Sequence, residues 1–295
     1  MTKAVKLAIA AVALALAIAA GSGCAQFRDR IQVDVLPEDE LYQLGLDKYQ
    51  QEQWEDAIAV FDRFERLYVS SSRVQEVRLL RADAYFNRGR MSGYILAKSE
   101  YQSFIALYPR YERPDYVWKQ IALCSFHQIL PPNRDQSHTE AAIEDFQTFL
   151  QRYPDSGYAQ EIRSHMQEAY GVLAEHHYIV GRHYSRRGLQ SAAAERFTAA
   201  LELQVEINDR EGLYFRLVES LARASDLAAR IYPLLVTADN EDLAARYRQQ
   251  HENYLYDARR YLAEFIELFP QATGRHQTLQ RLVDGVTPLR EADEQ

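Results

Sequence analysis

The sequence predicts an all-α chain: a solenoid of about five stacked helix pairs. Three observations carry that reading. A short pattern recurs five times, around Ala57, Ala97, Ala142, Ala193 and Ala258. Each copy places a bulky residue four positions after the alanine and a further apolar or small one three beyond it. The sets are Ala57/Phe61/Phe64, Ala97/Tyr101/Phe104, Ala142/Phe146/Phe149, Ala193/Phe197/Ala200 and Ala258/Leu262/Phe265. Steps of four and three keep side chains on one face of a helix. Finally, a terminator stands five residues on, at Val69, Pro109, Pro154, Val205 and Pro270. Proline ends a helix because it cannot donate and clashes with the preceding turn.

Each copy reads as the second helix of a pair, so a first helix should precede it with a small residue twelve positions before the alanine. Gly45 stands there before Ala57, with Leu41, Leu44 and Tyr49 around it, and Gly181 before Ala193, with Val180 and Tyr184. In the second pair Ala82 and Tyr85 sit three residues further back, so the turn RGRMSG is longer. In the third, the interval from Ala122 to Ala142 carries eight extra residues, LPPNRDQS, a loop by composition. The small residues let two backbones approach and the aromatics fill the space beside them. The signature resembles that of tetratricopeptide repeats.

The chain divides in order. Residues 1–23 read as an export leader: Lys3 and Lys6, then an Ala/Leu/Ile/Val run from Leu7 to Ala20 that is too short to span a bilayer. Gly21-Ser22-Gly23-Cys24 resembles a lipobox, although Gly21 replaces the usual aliphatic residue. That resemblance implies cleavage before Cys24 and its lipidation. Ordinary leader cleavage after Ala19 or Ala20 is the alternative. Residues 24–38 are a tether, 39–157 hold repeats 1–3, 158–273 hold pairs 4–5, and 274–295, with Gly, Pro and charge, read as a flexible tail. Within 158–273 the spacing of the key alanines widens to 65 residues. The expected elements there are one helix over Tyr158–Arg187, with Leu173, His177, Val180 and Tyr184 as its stripe, and two over Arg210–Ile231 and Glu241–Phe269 that hinge near Pro233.

A chain that is 47% hydrophobic and 26% charged, with a net charge of −8, is globular and acidic. No Lys/Arg-rich block marks it for nucleic acid. Cys124 is the one cysteine besides Cys24, in an apolar helix, and reads as a small core residue. His176 and His183 lie two helical turns apart, about 10 Å, too far to share an ion without a further ligand. There is no phosphate loop, no Gly-x-Ser-x-Gly and no Cys/His nucleophile. The expectation is therefore no enzyme, no catalytic residue, no metal and no cofactor. Helix-pair solenoids bind through the face formed by successive first helices. Tyr49, Tyr85 and Tyr116, together with Tyr42 and Asn87, lie on or near those helices as candidate peptide contacts.

The order of lipobox, tether, first pair with Trp54, a third pair ending in QRYPDSGYAQEI, and a long helix into HYSRRG resembles the BamD, or ComL-like, family. These are tetratricopeptide lipoproteins of the machinery that assembles outer membrane β-barrels. The resemblance runs from Cys24 to about Leu203; Gln204-Val205 then replaces the family's Tyr-Pro stop, and residues 207–256 form an unusual insertion. It implies a non-enzymatic scaffold, lipid-anchored on the periplasmic face of the outer membrane. The implied partners are the periplasmic domains of the β-barrel insertase and the C-terminal signals of unfolded barrel proteins. Tyr68 matches the substrate-contact position and Arg196 a position tied to the insertase. A tetratricopeptide lipoprotein scaffold for cell-wall synthesis or division stays open as the alternative.

Overall fold

The computed structural model describes residues 36–289 apart from residue 239. The expected leader and most of the tether, Cys24 included, lie outside the described residues. Among those described there are eleven helices and no strand: α1 Glu38–Gln50, α2 Trp54–Leu67, α3 Val74–Asn87, α4 Met91–Leu107, α5 Pro114–Phe126, α6 Ser137–Arg152, α7 Ala159–Arg186, α8 Gln190–Glu202, α9 Arg210–Thr237, α10 Glu241–Leu268 and α11 Thr273–Asp284. The fold class is the expected all-α one of tetratricopeptide type. The described residues form two compact units, divided between Cys124 and Ser125 within α5.

The recurring pattern is the core. Ala57, Ala97, Ala142, Ala193 and Ala258 are all fully buried, as are Phe61, Tyr101, Phe146 and Phe197. A Cβ on Gly45 would stand 2.5 Å from the Phe61 ring, and one on Gly181 equally close to Phe197, so hydrogen alone fits where those aromatics enter. Within pairs one, two and four the turn carries one left-handed residue: Glu52 at φ 57°, Gly89 at 72° and Gly188 at 78°.

Four of the five second helices stop alike. Tyr68, Tyr108, Tyr153 and Phe269 leave the helical region at φ between −119° and −135° with ψ 48° to 64°. Each donates its backbone N–H to the phenylalanine carbonyl four residues back and leans its ring on that same phenylalanine, with centroids 5.0–5.8 Å apart. Three of the four precede a proline, which disfavours helical geometry in the residue before it. The fourth pair lacks that stop. There Leu203 remains helical and Gln204 takes φ 53°.

In unit two, α7 is continuous over 28 residues, but it buries Ala174, Tyr178 and Gly181. The expected stripe, Leu173, His177, Val180 and Tyr184, is only half-buried, because Gly181 and not Val180 makes the close approach to α8. The insertion lengthens the fifth pair. Instead of hinging at Pro233, α9 runs through it to Thr237, whose Oγ1 donates to the Pro233 carbonyl at 2.8 Å. A proline this near a helix end removes one backbone donor without stopping the turns that follow. Of the expected tail, the described residues 274–289 fold in part, over α11. Leu279, Val283 and Val286 are buried in the unit-two core, and Thr287 donates through its hydroxyl to Asp226 at 2.8 Å. Apolar residues at 279, 282, 283 and 286 have helical spacing, which the flanking Gly, Pro and charges obscure.

Candidate functional site

The first-helix face of unit one carries a row of polar side chains. Tyr49, near the end of α1, packs against Trp54 at 5.3 Å and Phe61 at 6.4 Å, and its hydroxyl accepts from Asn87 of α3 at 3.2 Å. Burial pushes its phenol up to about 12, and the charge of Asp83 adds to the rise. Asp83 lies one turn before Asn87 and is 8% exposed. Its Oδ1 accepts from the Tyr101 hydroxyl at 2.5 Å and the Tyr116 hydroxyl at 2.8 Å, and Gln120 donates to Tyr101 at 3.2 Å. Burial raises the Asp83 carboxyl above its ordinary value, against the lowering effect of both tyrosine hydroxyls. Tyr49 of α1 and Tyr116 of α5 are thereby joined through α3. Tyr85, half-buried beside this row, lies under the guanidinium of Arg88 at 5.3 Å.

Tyr68 is not part of that row. It caps α2, beside the start of α1, while Tyr49 lies at the other end of α1, roughly 18 Å away at 1.5 Å per residue. Its hydroxyl donates to the Leu36 carbonyl at 2.7 Å. The next residue, Val69, lines a cavity of about 580 Å³ with Val74, Leu107 and Tyr108. The polar wall of the cavity is an ion network in which Arg81 reaches Glu65 at 2.8 Å and Glu100 at 2.7 Å, and Arg78 pairs with Glu65.

In unit two, Arg196 of α8 is half-buried and its guanidinium lies 3.4 Å from Nδ1 of His177 on α7. Burial, then Arg196, then His176 hold the His177 imidazole below its usual value. Asp209 caps α9 at the Gly212 N–H and accepts from Tyr178. His176 is held by the Pro132 carbonyl at 2.8 Å. Cys124 is buried in α5. Among the described residues no group of three His, Cys, Asp or Glu could hold a metal, and no helix is long and apolar enough to cross a membrane.

Sequence reasoning passed over Asp83 and His177 as partners of the candidate residues. A lone acid inside the apolar run RADAYF was the available signal for the first.

Residues 35–220, more than half of the chain, match the family model YfiO, described as outer membrane lipoprotein. The chain belongs to that family. A relative in Caulobacter vibrioides, outer membrane protein assembly factor BamD, is 30% identical over 201 residues, covering 68% of this chain and 65% of that protein. The protein of the same name in Pasteurella multocida is 27% identical over 191 residues, 61% of this chain and 71% of its own length. A crystal structure of a TPR repeats protein from Bacteroides fragilis superposes with a TM-score of 0.40 at 14% identity, over 85% of this chain and 99% of that one. The family match ends at residue 220, inside α9, so the distal part of the long fifth pair and α11 lie beyond it.

Proposed function

We propose that this chain is a periplasmic scaffold of the β-barrel assembly machinery, held on the outer membrane by lipid on Cys24 and acting without catalysis. The single observation that carries the reading is the family match over residues 35–220, together with relatives named as outer membrane protein assembly factors. In this reading unit one receives the C-terminal signals of unfolded barrel proteins. Tyr49, Tyr85 and Tyr116 offer amphipathic contacts along the first helices, suited to an extended chain of alternating apolar residues. The cavity beside Tyr68 has apolar walls at Val69, Val74, Leu107 and Tyr108 that suit an aromatic side chain, while its arginines are already paired with Asp62, Glu65 and Glu100. Arg196, on unit two, is the docking residue for the periplasmic domains of the insertase.

Affinity purification of the full-length protein from detergent-solubilised envelope tests this. Co-purification of a β-barrel insertase is the expected result. Recovery of cell-wall synthases in its place would replace the assembly reading with the cell-wall alternative.

A further inference from the structure

Asp83 is a buried charge that packing alone does not account for. Both of its hydrogen bonds, from Tyr101 and Tyr116, fall on Oδ1. Among the described residues no hydrogen bond to Oδ2 is found, Asp83 keeps 8% of its surface exposed, and Lys119 acts on it through its charge. A carboxylate accepts about four hydrogen bonds, and one left half-satisfied in a poorly hydrated place is costly. The carboxylate is nonetheless held rigidly: Tyr101 is fully buried and is itself fixed by Gln120. Around it, Tyr49 and Asn87 on one side and Tyr116 on the other make a polar strip across α1, α3 and α5.

The geometry points to Asp83 as a binding residue whose Oδ2 accepts a backbone N–H from an extended polypeptide laid across those three helices. The inference rests on the substrate-receiving reading above and deepens it. A neutral amide fits better than a lysine or arginine of the ligand, because Arg113 and Lys119 already lie over the Tyr116 ring and Arg88 over Tyr85. An acceptor that reads the backbone is indifferent to side chains, as a receptor for many different extended segments requires.

The test is a titration of the full-length mature protein with a synthetic ten-residue peptide of alternating apolar and polar residues ending in Phe, and with its single N-methyl variants. Asp83→Asn leaves an oxygen for the two tyrosines but puts an amide N–H₂ where Oδ2 stood. It should weaken the parent peptide about tenfold or more. In the wild type one N-methylation should cost a similar factor, and in Asp83→Asn that same methylation should cost nothing further. Equal methylation losses in both proteins, or an unweakened Asp83→Asn, overturn the assignment while leaving the receptor reading intact. The wild-type scan stands independently of how the variant folds, because no single methylation costing more than twofold also overturns it. A wild type that binds none of the peptides overturns the receptor reading, and this one with it.

Discussion

The Tyr68 hydroxyl donates to the Leu36 carbonyl at 2.7 Å, so the residue that stops α2 also fastens the chain's entry into α1. Its ring repeats a contact made at every tyrosine or phenylalanine stop, here on Phe64 at 5.3 Å. Tyr68→Phe should therefore cost about 0.5–1.5 kcal/mol in thermal or urea unfolding while leaving peptide affinity within twofold. Tyr68→Ala should cost about 2–3 kcal/mol, since a half-buried ring is lost, and should also weaken the peptide. An unchanged melting temperature for Tyr68→Phe would show that the Leu36 bond contributes nothing. Full peptide affinity in Tyr68→Ala would remove Tyr68 from the substrate contacts.

The close approaches at the pair interfaces set a packing prediction. Ala142→Leu should overpack the third pair and cost about 1–3 kcal/mol, and Gly181→Ala a similar amount against the Phe197 ring. Phe146→Ala should leave a cavity and cost about 3–5 kcal/mol. Urea melts of the three variants check the series; wild-type midpoints throughout would contradict the repeat register.

Glu52 occupies a left-handed position that pairs two and four give to Gly89 and Gly188. Side chains other than glycine lose about 1–2 kcal/mol there, partly offset by glycine's greater freedom in the unfolded chain. Glu52→Gly should accordingly stabilise the protein by about 0.5–1 kcal/mol. Gly188→Ala is the control, since an added Cβ meets nothing within 4 Å. It should destabilise by about 1 kcal/mol through backbone strain alone. Differential scanning calorimetry of both variants reads the two signs.

His177 gives unit two a pH dependence. Its folded pKa lies below the ordinary 6.5, chiefly through burial and then through Arg196 and His176. As pH falls through 6.5 the unfolded chain takes up this proton first, so the contribution is fully present above that pH and is lost below it. The melting temperature of the wild type should fall more between pH 7 and pH 5 than that of His177→Gln. Arg196→Gln should reduce the difference by removing the adjacent positive charge. Parallel pH profiles for wild type and His177→Gln would show that His177 contributes nothing to the acid sensitivity.

The anchor is tested by Cys24→Ala. The wild type should carry acyl mass and fractionate with the outer membrane. The variant should be soluble or retain its leader. Several acyl chains at about 0.8 kcal/mol per buried methylene hold a protein on a bilayer essentially permanently, so the difference should be nearly complete. Outer-membrane attachment of the variant, with no acyl mass on the wild type, would sink lipidation.

Local pattern determined the repeat. The alanine, the aromatic four later and the stop five beyond the third position are one helical face written out in order, so the second helices and their buried residues were legible directly in the chain. The glycines twelve residues upstream were legible for the same reason, since a missing Cβ has few uses other than close approach or a special φ. Partnership was not legible. Asp83 meets Tyr116 across 33 residues, and Arg196 meets His177 across 19, on neighbouring helices whose rotation no local period specifies. On α7 Gly181 makes the close approach that its spacing predicts, but the stripe of Leu173, His177, Val180 and Tyr184 is off by one residue, since Ala174, Tyr178 and Gly181 are the ones buried. In α11 four apolar residues among many polar ones suffice for a helix only because the α9–α10 surface is there to bury them. An amphipathic segment draws most of its stability from the face it packs on, and only the assembled fold supplies that face.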